Sequence, residues 1–274
     1  MKEKITCSLI ISTYNWVAAL DLCLKSVLSQ KRMPDEIIIA DDGSGKETKE
    51  LVDTYRLKFK VPLLHIWQPD DGYQLAKIRN KAFAAASKDY IIQIDGDLIL
   101  HRYFIYDHLR VCNDGTFVTG TRALLDEEIS KQLLDSGDHR FSKKNLAKVE
   151  KVHNALRIKA FSLVAYHFQG SEKSMYKVLG CNMAFWKKDL LKVNGYNEEF
   201  VGWGKEDNDI AIRLTNSGVK QKFLKFGAIV YHLYHKETAR DLKEINEKLF
   251  KKSIANKKSY IEKGIDKHLS EKVN

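Results

Sequence analysis

The chain contains only four cysteines and three prolines in 274 residues. Cys7, Cys23, Cys112 and Cys181 are far apart and form no CxxC pair or Cys/His cluster, which argues against a thiolate zinc site and a disulfide framework. Buried free thiols in a reducing compartment are the expectation. There is no Pro-rich linker, internal repeat or low-complexity stretch to divide the chain, so one continuous domain is expected. No apolar run reaches the roughly 18 residues that a membrane-spanning helix needs. The opening "MKEKITCSLIISTYNW" has an apolar stretch too short for a signal peptide and reads as a first strand. The protein is expected in the cytoplasm, with at most peripheral attachment to the inner face of the membrane.

An ordinary soluble composition is present, 44% apolar and 30% charged, with 46 Lys and Arg against 36 Asp and Glu for a net charge of +10. A basic surface suits phosphate-bearing ligands, nucleic acid or an anionic membrane, and charge alone does not choose among them. The aromatic-basic interleaving of nucleic-acid modules is missing, so no nucleic-acid partner is expected.

Apolar runs at 7–13, 36–44 (broken by Asp-Asp-Gly), 62–67 and 90–94 alternate with helical spacings such as Val17, Leu20, Leu24, Val27 and Leu75, Ile78, Ala82, Ala86. Asn15 is a candidate cap for the first helix. Strand and helix alternate four times in about a hundred residues, which predicts an α/β fold with a Rossmann-like, mostly parallel sheet flanked by helices. Ligands of such sheets sit beyond the carboxyl ends of the strands. Polar clusters occur there: Ser12-Thr13, Asp41-Asp42 and Asp95-Gly96-Asp97.

Asp95 and Asp97 read either as an ordinary Asp-Gly turn or as ligands of a hard cation, Mn²⁺ or Mg²⁺, with Gly96 allowing close backbone approach. In "DDGYQLAKIRNKA", Lys77, Arg79 and Lys81 are a solvated basic face or neutralise phosphate. "GWGKEDNDIAIRL" sets Glu206, Asp207 and Asp209 at a helix start. There they either favour the helix dipole or supply a general base. Gly202, Trp203 and Gly204 beside them suit a sugar ring, with room and an indole face. "KFLKFGAIVYH" reads as one β-run ending at His232, with His235 three residues on. Positions three apart on a strand face opposite ways, so one of the two histidines is expected as a ligand.

Taken in order, "SLIISTYNW", "IIIADDGS", "DDGYQLAKIRNKA", "IDGDLIL", "GCNMAFWKKDLLKVNGYNEEFVGWGKEDNDIAIRL" and "GAIVYH" resemble the family 2 nucleotide-sugar glycosyltransferases of GT-A fold. The likeness covers roughly 5–110 and 176–236, to bacterial chondroitin-polymerase-type domains and, toward the C-terminus, to β-1,4-galactosyltransferases. It implies an inverting, metal-dependent transfer of a hexose or N-acetylhexosamine from a UDP-sugar to a hydroxyl of a glycan or lipid-linked glycan, in surface polysaccharide synthesis. It implies Ser12, Thr13, Asp41, Asp42, Gln74, Lys77, Arg79, Asp95 and Gly96 for the nucleotide-sugar. Asn182, Trp203 and Gly204 would meet the acceptor, Asp97 with His232 (His235 as the alternate) would hold Mn²⁺ or Mg²⁺, and Asp207 with Glu206 would be catalytic. An inactive carbohydrate-binding relative and a nucleotidyltransferase are the competing readings.

The implied organisation is a catalytic domain over 1–236, comprising a nucleotide-sugar half over 1–110, a helical insertion without a clear strand over 121–175 and an acceptor half over 176–236. A basic helical tail over 237–274 follows. Its Leu249, Phe250, Ile254 and Ile261, set among lysines, suit either packing on the domain or an anionic membrane surface.

Overall fold

The computed structural model describes residues 5–140, 149, 152–159, 161–162, 178–236 and 241–270. The four N-terminal apolar runs become β1 (Cys7–Thr13), β2 (Glu36–Asp41), β3 (Leu63–Trp67) and β4 (Tyr90–Asp95). Between them lie α1 (Val17–Leu28), α2 (Lys46–Arg56) and α3 (Leu75–Ala85). Every residue of β1 and β2 is buried, as continuous apolar strands covered on both faces must be. The period-two alternation divides them. Leu9, Ile11, Ile37 and Ile39 meet α1 and α2, whereas Ile10 and Ile38 meet α3.

Further along are β5 (Leu98–Leu100), α4 (Phe104–Val111), β6 (Thr116–Gly120), β7 (Arg122–Leu124), α5 (Glu127–Ser136), β8 (Asn182–Trp186) and α6 (Lys187–Lys192). Then come α7 (Glu206–Asn216), β9 (Lys220–Leu224), β10 (Val230–His232) and α8 (Lys243–Ala255). The main sheet runs β3-β2-β1-β4-β8-β6-β9, and a smaller one runs β5-β10-β7. β1 pairs in parallel with β2 and β4, and β8 enters antiparallel between β4 and β6.

Three expectations change. The run 222–232 is two strands in two sheets, because Phe226 and Ala228 take positive φ values of 58° and 45° and turn the chain between them. The stretch 121–175 contains β7, followed by α5, whose Asp126 side chain accepts from the Ile129 N–H and whose end is a left-handed Gly137. Much of the remainder of 121–175 lies outside the described residues. Asn15 does not cap α1; at φ 44° its side chain accepts from the Gly45 N–H and ties two strand-end loops together.

No helix among the described residues is long and apolar enough to cross a membrane. In the tail, Phe250 is 3% exposed and packs on Phe200 and Ile212, with Leu249 and Ile254 against the same cluster. Ile261 is buried too, and Ile265 enters the core beneath α3. The apolar stripe considered for a membrane surface therefore lies on the domain, because packing there removes the same side chains from water. The lysines at 243, 248, 251 and 252 face solvent.

Candidate functional site

The parallel register of β1 with β2 and β4 sets Ser12 beside Ala40 and Asp95, and Thr13 beside Asp41, so the strand-end polar residues share one rim. Gly96 completes it. Its N–H donates to the Ser12 carbonyl at 2.7 Å, and a Cβ there would sit 3.0 Å from that oxygen.

Beyond the rim, Asp97 meets both histidines. Its Oδ2 lies 3.4 Å from Nε2 of His232 and 3.4 Å from Nε2 of His235. Each ring has Nδ1 against a backbone carbonyl, Leu233 O at 2.9 Å and Lys236 O at 2.8 Å. Donation to those carbonyls assigns the proton to Nδ1 and leaves both Nε2 lone pairs facing Asp97, which is how ligating histidines are held. Asp97 Oδ1 is buried with no hydrogen-bond partner among the described residues, an orphan that a cation satisfies. These donors fit a borderline divalent ion such as Mn²⁺. The strand argument for only one histidine fails because β10 ends at His232, leaving His235 free to turn back. Trp16 lies edge-on to His235 at 5.9 Å and walls the cluster on that side.

Arg79 holds the centre. Fully buried, its guanidinium donates to Asp95 Oδ1 at 2.8 Å, Asp207 Oδ1 at 2.9 Å and Ser12 Oγ at 3.2 Å. It is therefore a strut beneath the site, whereas the sequence placed it on the phosphates. α3 buries Ala76, Arg79, Asn80 and Phe83, one stripe at spacings of three and four, and the arginine lies in that stripe. Lys77 is half-buried on another face and makes no ion pair among the described residues.

Asp207 heads α7. Its Oδ1 also accepts from the Tyr196 hydroxyl at 2.8 Å, and that hydroxyl bonds Gln93. Oδ2 faces Gly180, where a Cβ would lie only 1.8 Å away, so any larger residue at 180 displaces the carboxylate. The Asp207 side chain remains 19% exposed. Burial raises its pKa, while the Arg79 charge and the Tyr196 hydrogen bond pull it back.

Glu206 is more enclosed. Burial, followed by the Asp207 charge, pushes its carboxyl up to about 8, although the Gly204 N–H donates to Oε2. An acid raised in the folded state keeps a proton that the unfolded chain releases, so stability falls as pH rises from the ordinary glutamate range toward about 8. The thermal midpoint is expected to drop between about pH 5 and about pH 8, and Glu206→Gln should remove most of that slope. An equally steep slope in the variant, measured by calorimetry, would assign the loss to other groups.

The residues expected to meet the nucleotide differ in detail from expectation. Asp42 Oδ1 accepts from the Gln68 amide and Oδ2 from the Gln74 backbone N–H, so Gln74 acts through its main chain while its amide bonds Asp71. Asp41 is fully buried, accepting from the Ser44 N–H and paired with His65 Nε2 at 2.8 Å; it builds the strand-end turn. Thr13 lies just under the rim, its carbonyl accepting from the Asp42 N–H.

Of the residues expected to meet an acceptor, Trp203 is 38% exposed and Gly204 takes φ 111°. Asn182 is elsewhere. Fully buried in β8, it donates to the carbonyls of Thr121 and Ala228 and meets His108 Nε2, leaving nothing for an acceptor. Among the described cysteines, burial drives the Cys7 and Cys181 thiols up to about 12 and leaves them inert. Tyr196, Gln93, Gly180 and Tyr73 were not singled out in the sequence; Tyr73 is half-buried in the field of Glu206 and Arg79, and its carbonyl accepts from the Gly202 N–H.

Comparison with known proteins bears on the family and the fold. The profile described as glycosyl transferase family 2 matches residues 8–171, and one described as the N-terminal domain of galactosyltransferase matches 159–236. Chondroitin synthase of Escherichia coli is 28% identical over 243 residues, 82% of this chain and 34% of that protein. Hyaluronan synthase of Pasteurella multocida is 26% identical over 84% of this chain and 25% of its own length. The chain thus spans about a third or less of these two relatives. Among solved structures, S. aureus TarS 1-349 in complex with UDP superposes with a TM-score of 0.63 at 15% identity, over 92% of this chain and 66% of that one. The mannosyltransferase PcManGT from Pyrobaculum calidifontis, in complex with GDP-Man and Mn²⁺, gives 0.59 at 14% identity over 90% and 61%. The fold is GT-A, and the chain belongs to glycosyl transferase family 2.

Proposed function

We propose that the protein is a metal-dependent, inverting glycosyltransferase that moves a hexose or N-acetylhexosamine from a UDP-sugar to a hydroxyl of a glycan acceptor. The reading includes a role in surface polysaccharide synthesis and extends to a lipid-linked acceptor. The observation that carries it is the cluster of Asp97, His232 and His235, two residues along the chain from Asp95, which Arg79 bridges to the Asp207 carboxylate. Chondroitin and hyaluronan synthases among the relatives support a polysaccharide product, and UDP and UDP-GlcNAc complexes of TarS support the donor.

In this reading Asp97, His232 and His235 hold a divalent ion, which supplies positive charge to the diphosphate. Asp42 and the Gln74 loop receive the base, and Asp95, steadied by Arg79, faces the ribose. Asp207, with Oδ1 fixed by Arg79 and Tyr196, takes the acceptor proton on Oδ2. The acceptor oxygen attacks the anomeric carbon from the opposite side to the diphosphate, the bond to the β-phosphate oxygen breaks with its electron pair, and the configuration inverts. Burial and the Asp207 charge favour the protonated form of Glu206, so the two acids do not share the site as two full negative charges.

A panel of UDP- and GDP-sugars, supplied with Mn²⁺ and scored for donor hydrolysis and transfer, tests the proposal. Turnover of one or more UDP-sugars that stops on chelation is expected. Turnover of GDP-sugars alone would overturn the UDP assignment, and metal-independent turnover would overturn the role of the cluster.

A further inference from the structure

The loop that delivers Trp203, Glu206 and Asp207 is held in place by a part of the chain with no role in the reading so far. Residues 201–205 are irregular. Gly202, Gly204 and Lys205 have φ of 74°, 111° and 75°, and Lys205 is a side-chain-bearing residue in a region such residues rarely adopt unless their surroundings impose it. The surroundings here are α8. Asn246, 1% exposed, donates its amide to the carbonyls of Val201 at 3.1 Å and Trp203 at 3.4 Å. Lys205 Nζ lies 3.4 Å from Glu247 Oε2 and 5.4 Å over the Phe250 ring. A Cβ on Gly202 would meet Leu242 at 3.1 Å, so tail and loop touch closely.

The far end of the tail grips the preceding turn. Asn194 donates to the Ile261 carbonyl and to Asp266, and Glu198 accepts from Asn80 and pairs with His268 Nε2 at 2.7 Å. That turn carries Tyr196, the hydroxyl partner of Asp207. By contrast, the hydrogen bonds and ion pairs given above for Asp42, Asp95, Asp97 and His232 involve nothing from α8.

We propose that Asn246, with the helix that carries it, is a positioning device for the acceptor step: it fixes the 201–205 loop, and with it the spacing of Trp203 from Asp207, without taking part in donor binding. This deepens the transferase reading and rests on it. A misplacement of about 1 Å remote from the chemistry can cost up to about 10²-fold in rate. Freeing a loop that keeps its Gly202 bond to Tyr73 is expected to cost about 10-fold.

The test uses the full chain with Asn246→Ala, read by amide hydrogen exchange, acceptor kinetics and UDP-sugar binding. Exchange at Gly202 and Gly204 should rise by at least about 10-fold, acceptor kcat/KM should fall by about 10-fold, and donor affinity should stay within about 2-fold. Unchanged exchange overturns the clamp, and a parallel loss of donor affinity overturns the division between donor and acceptor steps. Should Asn246→Ala not fold, exposed-edge Glu247→Ala gives the same split in smaller measure, and wild-type behaviour there overturns the proposal. If the wild-type chain transfers no sugar at all, the transferase reading fails while exchange at 202 and 204 still decides whether α8 holds the loop.

Discussion

Asp207→Asn is expected to lower sugar transfer by at least about 10²-fold while leaving UDP-sugar affinity nearly unchanged. The substitution keeps the size and polarity of the side chain and, if its carbonyl takes the place of Oδ1, the bonds from Arg79 and Tyr196 at 2.9 and 2.8 Å. What it removes is the basicity of the second oxygen, the one facing Gly180. In the proposed reading the donor meets Asp42, Asp95 and Asp97 and not this atom, so binding should survive. The comparison is of kcat from single-turnover transfer with Kd from calorimetry. Near-normal transfer by the Asn variant would move the base to Glu206 or to another group.

Arg79→Met should cost about 3 kcal/mol of stability as well as most of the activity. Methionine matches the length and the apolar stem, but no charge then meets Asp95 and Asp207, which the guanidinium bridges from a fully buried position. Breaking a buried pair by deleting one partner is worse than replacing both, because a carboxylate is left uncompensated. With its strongest opposing charge gone, Asp207 should also ionise at higher pH, moving the acidic limb of the transfer rate upward. Denaturant unfolding and the pH profile of the residual rate measure the two effects. A variant as stable as wild type would show that water, and not Arg79, satisfies the two carboxylates.

Arg79 also marks where sequence reasoning stops. A basic residue near a helix start beside acidic strand ends reads as a phosphate ligand, yet its spacing from Ala76 and Phe83 already placed it on the buried stripe of α3. The stripe read from the sequence, Leu75, Ile78, Ala82 and Ala86, did not name it. The alternation of parallel strands with helices and the rim of polar strand ends were legible because buried parallel strands write continuous apolar runs that stop at polar residues. Asn182 was not, since a polar residue opening an apolar strand looks the same whether it faces a ligand or two carbonyls in the core. Tyr196 and Gly180 reach Asp207 only through tertiary packing across more than ten residues of chain, and no local pattern records that. The amphipathic tail was ambiguous in sequence for a related reason: an apolar stripe states that something covers it, not what does.

Calorimetry of UDP binding, with Mn²⁺ and with a chelator, on the wild type and on Asp97→Ala tests the central claim most directly. The account predicts saturable UDP binding by the wild type that requires the metal, and its loss in Asp97→Ala with the thermal midpoint retained. UDP binding of equal strength in the chelated wild type and in Asp97→Ala would contradict it.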